Sequence, residues 1–237
     1  MKRVYKRVTS GPADGGFGVA LDGRPLRTPG KVPLVVPSAA LAAAIATEWD
    51  AQEGELRPAA MPLYRLAATA IDRTAARRLQ VVAEVANYAG TDLVCYRAGE
   101  PPALAARQQR VWQPLVDWAT QRYDAALAVT AGVIPAGQSP AALKAFATAV
   151  AALDDFRLTA LHALTGACGS LIIALAVLER RLDPEEAFTA SQLDETFQIE
   201  AWGEDAEAAA RRGALAAEIA TAARLLDLLA AEISAAQ

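Results

Sequence analysis

The chain has 237 residues, of which 54% are hydrophobic but only 6% aromatic, so its apolar content is mostly Ala and Leu. That composition favours helix, excludes an all-β fold, and leaves room for one large domain or two small ones. The net charge of -4 is too mild to mark a nucleic-acid binder, but residues 1–31 are basic and residues 183–237 acidic.

The first 37 residues read as β structure. Residues 3–8 alternate β-prone and basic side chains, 11–16 read as a glycine-rich loop, and 17–21 as a short strand. Asp22-Gly23 is a hairpin turn, 24–28 return, Pro29-Gly30 turn again, and 32–36 form a last strand. Three or four such strands cannot bury a deep core alone and must lean on the helices of the remaining chain.

Helices take over after Pro37. Ser38 is placed as an N-cap, and Leu41, Ile45 and Trp49 share one face. Pro58 and Pro62 bracket a connection. Leu63, Leu66, Ala67, Ala70 and Ile71 then line one helix face, and Val82, Val85 and Ala86 another over 79–89. Residues 91–96 fit either a capped turn or a short extended piece. The pattern predicts a helix over 102–128 with Trp112, Leu115, Trp118 and Ala119 inward and Pro114 placed to kink it. A partly extended loop comes next, over 129–138. Ser139-Pro140 starts a helix reaching about 153.

Residues 156–181 read as one helix, with no formal charge from Ala160 to Leu178 and no polar stripe. Such a helix must be surrounded. His162, Thr165, Gly166, Gly169 and Ser170 in its middle favour protein over lipid as the surroundings, with the glycines admitting a neighbouring helix and His162 either buried on one hydrogen-bond partner or serving as a general base. Asp183 and Glu186 form a capping box for a helix bearing Phe188, Leu193 and Phe197. After Trp202-Gly203, an Ala-rich helix runs over 205–234. The fold class is α+β: a small N-terminal β domain over 1–37 and a larger all-α domain over 38–237.

Little in the sequence carries catalysis. There is one histidine, so no multi-histidine metal site exists. Cys95 and Cys168 sit in apolar surroundings as buried thiols of a reducing compartment. No apolar run succeeds the basic start, which indicates a cytoplasmic protein without export. The glycine stretches at 11–18 and 166–169 lack the pattern of a phosphate loop. The basic N-terminus has too few aromatics to stack on RNA and reads as a protected edge strand. The acidic segment around Phe197 and Trp202 is either a solvated face or holds a carboxylate that pairs with a cation of a partner protein. The competing class is a carboxylate- or metal-dependent enzyme on a helical domain. Its nearest candidates, Asp154-Asp155 and Asp194-Glu195, are adjacent acids that point about 100° apart on a helix.

Several stretches together resemble one family. They are Leu21-Asp-Gly-Arg-Pro-Leu-Arg-Thr-Pro29, Glu48-Trp-Asp-Ala-Gln52, Met61-Pro-Leu63 with Ala70-Ile-Asp72, Tyr88 with Thr91-Asp-Leu93 and Cys95-Tyr-Arg97, Gly169-Ser-Leu171, and Asp194-Glu195. In order and spacing they are similar to the F1-ATPase assembly chaperones of mitochondria and α-proteobacteria, which hold the free F1 alpha subunit before it joins beta. The resemblance implies a β domain followed by a helical domain, no catalytic activity, no cofactor and no metal. It implies partner contact at Glu195, or at the adjacent Asp194. It assigns Glu48 and Trp49 to a structural motif, with Trp49 packing between β unit and helices. The expected partner is the F1 alpha subunit, bound by a monomer with no nucleic acid and no stable membrane insertion. A bacterial origin fits the lack of a long N-terminal extension.

Overall fold

The computed structural model describes residues 2–132 and 137–230. The chain is α+β, with its main sheet at the N-terminal end and helices over most of the remainder. Strand β1 is Val8–Ala13 and pairs along its whole length with β2, Gly16–Leu21. The first turn is therefore Asp14-Gly15, with Gly15 at φ 82°, and not the longer loop over 11–16. Gly11 and Pro12 read as a loop because proline lacks a ladder donor, but β1 is an edge strand, where that donor is dispensable. Residues 3–7 are not a strand.

The second turn falls at Asp22-Gly23, whose φ angles of 49° and 80° are the pair that a type I′ hairpin requires. Short strands β3, Arg24–Pro25, and β4, Val35–Val36, both pair antiparallel with β2. Helix α1, Ala39–Asp50, starts at Ser38, whose hydroxyl accepts from the Leu41 N–H. It packs on β1 and β2, so Val19, Leu26, Leu34 and Val36 are buried together with Leu41 and Ile45. That helix gives the sheet its core.

Helix α2, Pro62–Thr69, passes through a π turn and a 3₁₀ turn into α3, Arg78–Asn87. Both readings of 91–96 apply in succession. A 3₁₀ turn capped by Asp92 leads into β5, Tyr96–Arg97, which pairs in parallel with β6, Thr130–Ala131. Between them lies α4, Pro102–Tyr123, with Pro114 inside it. It stops earlier than 128 because Asp124 takes a left-handed conformation at φ 49°. Residues 133–136 of the next loop lie outside the described residues. Helix α5, Pro140–Ala151, begins at the predicted Ser139 cap.

The apolar stretch is two helices, α6 (Asp155–Cys168) and α7 (Leu171–Leu178). The break is local and has a plain cause. Gly169 sits at φ 64°, and Ser170 caps α7 by accepting from the Ile173 N–H. A Cβ at Gly166 or Gly169 would meet nothing within 4 Å, so neither glycine admits a neighbouring helix. All residues of α7 from Leu171 to Val177 are buried. At eight residues it spans about 12 Å, far short of a bilayer. Among the described residues no helix is long and apolar enough to cross a membrane.

Helix α8, Pro184–Ser191, starts at the Asp183–Glu186 capping box. Gln192 separates it from α9, Leu193–Trp202. Gly203, at φ 82°, ends α9 before α10, Ala206–Ala230, and the predicted extension over 231–234 lies outside the described residues. Packing groups the elements into two units. One comprises the described parts of Met1–Arg78, Asp154–Ala160 and Arg224–Gln237; the other comprises Leu79–Leu153 and Leu161–Ala223.

Candidate functional site

Among the described residues, the acids of the stretches that carry the family resemblance divide into those that hold the fold and one that does not. In the first unit the Glu48 carboxylate, near the end of α1, accepts from the Leu63 N–H (2.8 Å) and the Tyr64 N–H (2.9 Å). Those amides open α2 and have no partner within their own helix, so Glu48 caps α2 from another element. Burial raises its carboxyl above the ordinary range, against the pull of the two amides and of Arg224. Trp49 is buried beside it, 5.8 Å from the Tyr5 ring and 5.1 Å from the Tyr64 ring, edge-on to the latter. Its backbone carbonyl accepts from the Tyr5 hydroxyl at 2.7 Å.

Asp72 plays a similar part, accepting from the Thr28 hydroxyl at 2.6 Å and the Gly30 N–H at 2.8 Å. In the second unit Asp92 is fully buried. It accepts from the Ser170 hydroxyl (2.6 Å), the Ile172 N–H (3.0 Å) and the Val94 N–H (3.2 Å). Burial pushes its carboxyl up to about 6, opposed by those hydrogen bonds. The scattered sequence pieces therefore meet in pairs: 21–29 with 70–72, 48–52 with 61–63, and 91–93 with 169–171. One carboxylate joins each pair.

The predicted partner residues lie in the second unit, at the start of α9. Adjacent acids there face different ways, as helix geometry demands. Asp194 turns inward, half-buried, and accepts from the Gln108 side-chain amide at 2.7 Å. Gln108, itself buried on α4, also accepts from the Ala98 N–H at 2.7 Å, so it ties Asp194 to the end of β5. Arg97 is buried nearby with its guanidinium 5.2 Å from the Trp112 ring, and burial pulls its pKa down. Leu193 is buried and Phe197 half-buried beneath the Arg107 guanidinium, 5.5 Å from the ring centroid.

Glu195 turns outward and is exposed. Six acids lie between Asp194 and Glu207, and five are engaged. Asp194 has Gln108, and Glu200 has both guanidinium nitrogens of Arg107 at 2.8 and 2.9 Å. Glu204 has Arg212, Glu207 has Arg211, and Asp205 caps α10 through the Glu207 and Ala208 N–H groups. Among the described residues Glu195 alone of the six has neither hydrogen bond nor ion pair. It borders a shallow depression of about 340 Å³ between α9 and α10, which Trp202 and Arg211 also line. Trp202 is 81% exposed.

The apolar run around His162 predicts a core position for it. His162 is instead exposed on α6, 3.6 Å from Glu84, because a helix starting at Asp155 turns that position outward. The inward role of Asp72 and Asp92 carries little local signal, since apart from the Val94 N–H, two residues from Asp92, their partners are 42 or more residues away. Cys95 and Cys168 are buried free thiols whose pKa burial pushes up to about 12. Among the described residues no three His, Cys, Asp or Glu side chains converge as a metal would require.

The family model described as ATP12 chaperone protein matches residues 2–120. Over 96% of its length the chain superposes on Atp12 from Paracoccus denitrificans, with a TM-score of 0.93 and 45% identity, covering 98% of that chain. It also superposes on the Atu1473 protein of Agrobacterium tumefaciens, with a TM-score of 0.91 and 44% identity, over 96% of this chain and 86% of that one. Protein atp12, mitochondrial, of Schizosaccharomyces pombe is 25% identical over 214 residues, covering 85% of this chain and 74% of that protein.

Proposed function

The chain belongs to the ATP12 chaperone family, and from that premise we propose that it is a non-enzymatic assembly factor for the F1 sector of ATP synthase. It binds the unassembled alpha subunit and shields that subunit's apolar interface until beta arrives. It does so as a monomer in the bacterial cytoplasm. An orphan subunit of an obligate complex exposes apolar surface that drives aggregation. A holder that must later let go needs a modest, mixed contact surface, with a few charges setting which partner is accepted.

The observation that carries this reading is the state of Glu195: an exposed carboxylate without a partner among the described residues, in a segment, 194–207, whose other acids are all engaged. Glu195→Lys is expected to leave the fold intact and abolish capture of the alpha subunit. Co-purification of the two proteins, with circular dichroism of the variant alone, checks this. Retention of alpha by a correctly folded Glu195→Lys protein would exclude this contact.

A further inference from the structure

We infer that Trp202 is the apolar anchor of this surface, and that the depression between α9 and α10 receives a segment carrying a cationic side chain about 10 Å from an apolar one. The inference rests on the proposed assembly function and goes beyond it by naming the second contact and the chemistry of the segment that binds there. Glu195, Ile199 and Trp202 lie at i, i+4 and i+7 on α9, which puts them on one face of the helix. Seven residues at the helical rise separate the carboxylate from the indole by about 10 Å. Leu215 and Arg211 of α10 form the opposite wall.

The chemistry of the occupant is set by the groups this surface lacks. Glu195 has no cation, although Arg107, Arg211 and Arg212 are all nearby in sequence or space; each pairs with another acid, and the Arg212 Nη1 is buried without a partner. A cation that pairs with Glu195 would come from outside, into a depression that Arg211 and Arg212 also line. At the other end of the stripe stands an indole that leaves 81% of its surface in water. The remaining tryptophans, Trp49, Trp112 and Trp118, are buried or half-buried. A large rigid aromatic left exposed on the same helix face as an unpaired charge, about 10 Å away, has the composition of an interface hot spot. Gly203, directly after it, ends the helix and leaves the ring no further turn to pack on.

The test uses the full chain and the purified F1 alpha subunit as probe. Trp202→Ala should weaken capture of alpha by on the order of tenfold or more. Leu79→Ala, which truncates an apolar side chain 87% exposed on α3, should leave it unchanged. With 5-fluorotryptophan incorporated, the Trp202 fluorine resonance, assigned by its loss in Trp202→Phe, should shift or broaden on adding unlabelled alpha. The Trp49 and Trp112 resonances should stay in place. If wild-type protein binds alpha while Trp202→Ala binds equally well and the Trp202 resonance stays still, the anchor is wrong and the assembly function stands. If wild-type protein does not bind alpha at all, both readings fall.

Discussion

Glu48 with Trp49 and Glu195 with Trp202 are the same two residue types on helix surfaces, used in opposite ways. In the first unit, Glu48 spends its carboxylate on two backbone amides of α2, and Trp49 is enclosed by Tyr5 and Tyr64. In the second, Glu195 has no partner among the described residues and Trp202 stands in solvent. The first pair has its carboxylate and its ring contacts supplied within the chain, although the Trp49 Nε1–H is buried without an acceptor, whereas Glu195 has no hydrogen-bond or ion-pair partner among the described residues and the Trp202 ring is largely exposed. A substitution in the first pair should therefore be read out as stability. In the second it should be read out as binding.

The largest expected effect is at Trp49. Trp49→Arg removes the aromatic contacts and places a charge at a position that is only 7% exposed. We expect a loss of about 4 kcal/mol or more, enough to lower the unfolding midpoint by roughly 10 °C in a chain of this size. A midpoint unmoved in thermal unfolding followed by circular dichroism would remove the inward half of the comparison.

Asp92 sharpens the same half. Asp92→Asn replaces an all-acceptor carboxylate by an amide whose NH₂ must face donors, and about 2–3 kcal/mol should be lost. The pH dependence has a definite sign. The folded carboxyl titrates at about 6, above its ordinary value of 3.8, so the folded state holds the proton more tightly than the unfolded chain does. The contribution is present below the unfolded value and is lost as pH rises through about 6. Denaturant midpoints measured from about pH 4 to 7 should show this fall in the wild type and a flatter slope in Asp92→Asn. Glu48→Ala ranks next. It uncaps α2 and should cost about 1–2 kcal/mol, with alpha capture retained once the protein is folded.

Local chemistry was legible where its cause lies within a few residues. The Asp22-Gly23 turn, the Ser38 and Ser139 caps and the Asp183–Glu186 box all stand where the sequence puts them, because each is a contact over three or four positions. The hairpin at Asp14-Gly15 was obscured because Gly11-Pro12 breaks a strand everywhere except at an edge. The split of the apolar stretch was obscured for the opposite reason. Gly169-Ser170 is compatible with a continuous helix locally, and only the buried Asp92, 78 residues from Ser170, favours the break. At the candidate site, the acidic character of α9 could be read directly. Which acid faces out could not, because that depends on Gln108 reaching Asp194 from a helix 86 residues away.

The smallest expected effect is the most informative for the outward half. Glu195 occupies the first turn of α9, where a negative charge gains a few tenths of a kcal/mol from the helix dipole. Glu195→Lys removes that gain and adds a repulsion, so its stability change mixes two causes. Glu195→Gln keeps the shape and hydrogen-bonding reach and removes only the charge. Its stability should stay within about 0.5 kcal/mol of wild type, as for a surface site with no internal partner. Alpha capture should nevertheless fall, and the wild-type affinity should weaken with added salt more steeply than that of Glu195→Gln. A loss of stability above about 1 kcal/mol in Glu195→Gln would mean the carboxylate works inside the fold after all. It would then belong with Glu48, and the contrast between the two glutamate–tryptophan pairs would fail.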